Sequence, residues 1–139
     1  MKKLLFAALL AATATVQAAG GTEAFRDELE NTLTASYADS WARKRLAERT
    51  EDMGRADAFV KQAERLFGTA MNRPSSVCRQ AAIYRKFYIQ GLNDVALTLE
   101  GRPVRHPTDL LVPMNQAVDF GQAAGRCLGY LDGKDRGHS

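Results

Sequence analysis

Cys78 and Cys127 stand almost equally far from a single break in the chain: Pro103 lies 25 residues after the first and 24 before the second. The stretches on either side both read as helix. From about Ser76 to Leu99, the residues Val77, Ala81, Tyr84, Tyr88, Gly91, Val95 and Leu99 recur at spacings of three and four, and Gly101 and Pro103 close the run. Thr108 and Asp109 open the next, with Leu110, Met114, Ala117, Gly121, Ala124, Leu128 and Leu131 on one stripe; it runs to about Asp132, and Gly133 ends it. Two helices joined by a short loop pack antiparallel. At 1.5 Å per residue each cysteine lies roughly 36–38 Å from the turn, so the two arrive level at the open end of the hairpin. A Cys78–Cys127 disulfide is therefore expected. The same register puts Tyr84 opposite Gly121, Tyr88 opposite Ala117, Gly91 opposite Met114 and Val95 opposite Leu110, with Gly91 and Gly121 as close-packing positions.

A disulfide needs an oxidising compartment, and the start of the sequence supplies an address. Lys2 and Lys3 precede an unbroken apolar run from Leu4 to Ala12, and Val16-Gln17-Ala18 fits a small-x-small cleavage pattern. That is the plan of a secretory signal peptide, cleaved after Ala18. The run falls well short of the ~20 residues that span a bilayer. Residues 19–133 are then expected to form a single periplasmic helical domain, with 134–139 as a polar tail. The whole chain carries a net charge of +3; without Lys2 and Lys3 it has 17 basic residues against 16 acidic. A balance so close to neutral argues against a nucleic-acid partner, and no later segment is apolar enough for stable membrane insertion.

Two further helices complete a small all-α, four-helix bundle. The first is expected from about Thr22 to Arg49, because Phe25, Leu29, Leu33, Tyr37 and Trp41 recur every four residues. The second is expected from about Glu51 to Met71 on Met53, Ala56, Val60, Ala63, Phe67 and Ala70. The boundary between them falls either near Thr50 or near Asp39-Ser40; no proline or capping glycine decides it.

The residues that carry chemistry are sparse. His106 and Asp109 form an acid–base pair or a solvated loop histidine beside a capping acid, and the second reading is preferred because no nucleophile accompanies them. Met53, Met71 and Met114 lie on or beside apolar stripes, as core filler does. No cofactor, metal site or enzymatic activity is expected. Arg43, Lys44, Arg45 and Arg49 concentrate positive charge; they make either a solvated helix-terminal face or a surface for an acidic partner. Ile83 and Phe87 form a second apolar strip on the third helix, which either packs on the first two helices or meets a partner.

Two heptapeptides, Tyr88-Ile89-Gln90-Gly91-Leu92-Asn93-Asp94 and Cys127-Leu128-Gly129-Tyr130-Leu131-Asp132-Gly133, each resemble part of a motif in periplasmic immunity proteins of type VI secretion amidase effectors. That motif is a Cys, then Tyr-Ile-x-Gly, then a hydrophobic residue and an Asp. Arg85 stands here where its Cys belongs, and the second heptapeptide falls near the end of the chain. The resemblance implies a small, exported, helical, disulfide-bonded protein. The expected function is binding of another envelope protein, as an accessory factor of secretion or conjugation machinery. The alternatives are neutralisation of a toxic periplasmic effector, or a chaperone or stress role.

Overall fold

The computed structural model describes residues 21–34, 36–104 and 111–135. Their regular structure is entirely α-helical: α1 (Gly21–Thr32), α2 (Tyr37–Ala42), α3 (Leu46–Phe67), α4 (Ser76–Leu99) and α5 (Leu111–Asp135). Residues 1–20, with the expected leader and cleavage site, 105–110, with His106, Asp109 and Leu110, and 136–139 of the expected tail lie outside the described residues.

The first expected helix is broken into three pieces. Phe25, Leu29 and Thr32 are buried along α1, but Thr32 and Thr34 turn their hydroxyls back to the carbonyls of Glu28 and Asn31. Such side chains compete for the backbone groups that a helix needs, and α1 stops. Leu33, expected on the stripe, is exposed. After α2 the chain is extended at Arg45 (φ −69°, ψ 156°) and restarts at Leu46. Neither expected boundary is therefore used: α2 runs through Asp39 and Ser40, and Thr50 lies inside α3 with its hydroxyl on the Leu46 carbonyl. At the far end Gly68 takes φ +81° and donates its N–H to Glu64, so α3 ends before Met71, which is exposed rather than core.

Helix α4 begins and ends as its sequence predicts. Gly101 takes φ +70°, and the N–H groups of Gly101 and Arg102 satisfy the carbonyls of Thr98 and Leu97. Helix α5 continues to Asp135, past Gly133. Pro113 sits in its first turn, where no intrahelical donor is lost. The Cys78–Cys127 disulfide forms, with Cα atoms 4.6 Å apart.

The hairpin register departs from expectation away from the disulfide. Tyr88 stacks on Phe120, with ring centroids 6.1 Å apart, and Gly91 faces Gln116 rather than Met114. A Cβ at Gly121 would meet nothing within 4 Å, so Gly121 is not a close-packing position. Tyr84, Met114 and Leu99 are exposed. The buried stripe of α5 keeps Ala124 and Leu131 of the expected set and adds Phe120, Ala123 and Cys127.

Two buried clusters result. The larger joins Phe25, Phe59, Cys78, Tyr88, Phe120 and Cys127, with Phe25 stacked on Phe59 at 4.4 Å. The smaller gathers Trp41, Ala56 and Ile89 beside Met53.

Candidate functional site

Helix α4 carries Arg85 on its inner face, seven residues after Cys78 and three before Tyr88. The side chain is 5% exposed. A buried guanidinium is costly unless its N–H groups find acceptors, and α1 provides them. Arg85 Nε donates to Thr32 Oγ1 at 2.8 Å, and Nη2 donates to Glu28 Oε1. The guanidinium carbon lies 4.7 Å from the centre of the Phe59 ring on α3, a cation–π contact. Three helices therefore meet at one cation.

Beside Arg85 opens a cavity of about 380 Å³ between α1 and α3. Its polar lining comes from Glu28, Arg55, Gln62, Arg65 and Arg85, and Phe59 contributes apolar surface. Three guanidinium groups face one carboxylate there, and that carboxylate already accepts from Arg85. Arg55 makes surface ion pairs with Glu51 and Asp52 at 3.6 and 3.3 Å. Nearby, burial raises the Tyr37 phenol to a pKa of about 12, against the smaller lowering influence of Arg85.

The cationic cluster expected at Arg43, Lys44, Arg45 and Arg49 is dispersed. Because α3 starts at Leu46, Arg49 falls one turn inside it on the inner face, and only 1% of the residue is exposed. It donates to Glu100 at the end of α4 and lies over Trp41, 5.7 Å from the ring centre. Arg49 Nε and Nη1 and Trp41 Nε1 are buried without an acceptor among the described residues. Lys44 pairs with Asp52 and Arg45 with Glu48. Arg43 is exposed. Arg49 is thus a strut between α3 and α4, not surface.

Ile83 is half-buried, Phe87 is 43% exposed, and Phe87 meets the 37%-exposed Tyr84 edge to face at 6.3 Å. Asp94 is half-buried on α4. Among the described residues no group of three His, Cys, Asp or Glu side chains is placed to hold a metal ion.

Arg85 and Arg49 are the site and core residues that the apolar pattern passes over. The signal for Arg85 is present nonetheless: Cys78, Ala81, Arg85, Tyr88 and Val95 keep helical spacing, so an arginine stands where the core stripe needs a member.

Comparison with protein-family models, with curated proteins and with solved structures finds no match to this chain.

Proposed function

We propose that this chain is an exported periplasmic protein that acts by binding another envelope protein rather than by chemistry, as an accessory factor of secretion or conjugation machinery. The observation that carries this reading is the Tyr84–Phe87 pair. Two large aromatic rings stand out side by side on α4, a helix whose inner faces are taken by α3 and α5. Exposed aromatic pairs with little rotamer freedom are the side chains that most often anchor protein interfaces. The disulfide supports the compartment, since both cysteines of the chain are spent in one buried bridge of a kind that persists under oxidising conditions. Among the described residues no helix is long and apolar enough to cross a membrane.

A photo-crosslinking residue placed at Phe87 in growing cells tests the reading. One dominant adduct with an envelope protein is expected, missing when the crosslinker replaces exposed Glu51 on α3. Equal adducts from both positions, or none from position 87, defeat it. Release of the chain by osmotic shock tests the compartment separately.

A further inference from the structure

The cavity beside Arg85 is more than a gap in packing. Its apolar lining is Phe59 and the exposed Ala24 and Ala58, and the guanidinium groups of Arg55, Arg65 and Arg85 stand around them. Arg85 Nε and Nη2 are occupied, while Nη1 has no hydrogen-bond acceptor among the described residues. Arg65 makes no ion pair or hydrogen bond within the described residues either, and Gln62 adds an amide. Arg85 is held in place by three contacts with two other helices, so a ligand would not have to order it. Pre-organisation of this kind lowers the cost of binding.

We infer that this cavity is a binding site for a carboxylate carried on a short apolar body. Planar guanidinium groups match planar carboxylates, and the site already displays that preference internally, because Glu28 occupies one nitrogen of Arg85. A second carboxylate entering between Arg65 and Arg85 meets two uncommitted donor groups and lays its carbon chain against Ala24, Ala58 and the edge of Phe59. About 380 Å³ is the size of a small-ligand pocket; it admits a glutamate-like side chain or a small dicarboxylic acid. This inference stands apart from the partner reading: it concerns the cavity that α1, α3 and Arg85 enclose, and it holds whether or not the exposed α4 aromatics meet a protein.

Two probes with the oxidised full chain decide it: glutarate, and a capped peptide of four glutamates. Amide chemical shifts of Ala24, Ala58 and Gln62 are followed by NMR, with uncharged glutaramide as control. The carboxylates are expected to shift these amides and glutaramide is not. Arg65→Gln weakens binding about tenfold, the loss of one charge-assisted contact. Ala58→Met, which fills the cavity from a position exposed to solvent, abolishes binding while the melting temperature holds. Raising the salt from about 0.01 to about 0.1 M weakens binding several-fold, as the screening length falls from about 30 to about 10 Å. Tighter binding of the peptide assigns the carboxylate to a protein side chain, and tighter binding of glutarate assigns it to a free acid. Absence of shifts at all three amides with both probes, equal binding of glutaramide, or undiminished binding by both variants overturns the inference. Arg85 is not varied, because it also ties α1 to α4.

Discussion

Arg85 Nε donates to the Thr32 hydroxyl across 2.8 Å, so the last turn of α1 is fastened to the middle of α4 by a buried cation. Its other partner, Glu28, is 44% exposed and can rehydrate when the arginine is lost. Breaking a fully buried pair costs about 3–5 kcal/mol, and the exposure of Glu28 reduces that figure. Arg85→Ala is expected to cost about 2–4 kcal/mol by urea unfolding. Glu28→Gln, which keeps an acceptor oxygen near Nη2, is expected to cost under about 1 kcal/mol. Equal losses in the two variants would show that the guanidinium is not the anchor.

The disulfide closes a loop whose ends are 49 residues apart. On the chain-entropy model a loop of about 50 residues contributes roughly 4 kcal/mol, a large part of the ~5–15 kcal/mol that holds a domain of this size. Cys127→Ser is expected to lower the melting temperature by about 10 °C or more, and reduction of the wild-type chain to do the same. A melting curve indifferent to reductant would mean that α4 and α5 hold their register without the bridge.

Much of this architecture can be read in advance, and the exceptions share a cause. The limits of α4 are legible because Pro74, Gly101 and Pro103 punctuate it, and the cysteine pairing follows from those limits. The break after Thr32 is written in hydroxyls rather than in glycine or proline, and a side chain that competes for a carbonyl leaves no mark on an apolar stripe. Helix α5 carries small residues all round, among them Ala117, Gly121, Ala123, Ala124 and Gly125. A stripe can be drawn through several faces of such a helix, and burial selects the one through Phe120 and Ala123. The centre of the carboxylate site, Arg85, is easily passed over: its helical spacing puts it on the core stripe, whereas pattern reading assigns arginines to the surface.

Gly91 and Gln116 bring α4 and α5 together tightly. A Cβ at Gly91 would fall 1.9 Å from Gln116 Oε1, which is buried without a donor among the described residues. At Gly121 the added methyl group would meet open space. Alanine is better than glycine inside a helix by roughly 1 kcal/mol. Gly121→Ala is therefore expected to stabilise the fold by about 0.5–1 kcal/mol, whereas Gly91→Ala, which must swing the end of the Gln116 side chain aside, gains less until Gln116→Ala is added. Chemical denaturation of the single and double variants measures this coupling, and additive effects would place the two residues out of contact.

Tyr37 links stability to alkaline pH. Its phenol titrates near 12 in the folded chain because burial disfavours the phenolate, against about 10 in an unfolded one. A raised folded pKa means that the native state holds its proton more tightly. The contribution is present in full below pH 10 and is lost as pH rises from about 10 to about 12. Burial shifts Tyr88 in the same direction. Absorbance titration at alkaline pH is expected to show late-titrating tyrosine, and Tyr37→Phe to flatten the fall in stability across that window. A variant that loses stability with pH as steeply as the wild type would place the linkage elsewhere.

The Tyr84–Phe87 pair separates folding from recognition. Both rings are more than a third exposed, and their edge-to-face contact is with each other rather than with the core. An exposed aromatic pair contributes about 0.5–1.5 kcal/mol at most beyond its buried area. Phe87→Ala and Tyr84→Ala are each expected to cost under about 1 kcal/mol in urea unfolding, within the range of ordinary surface substitutions. Loss of a ring that anchors a partner costs at least about 2 kcal/mol in binding, or some thirtyfold in affinity. The two assays should therefore diverge: near-normal unfolding curves, but no recovery of the partner identified by crosslinking at position 87. If Phe87→Ala unfolds the chain as readily as Arg85→Ala does, the ring belongs to the core of the hairpin, and its exposure says nothing about a partner.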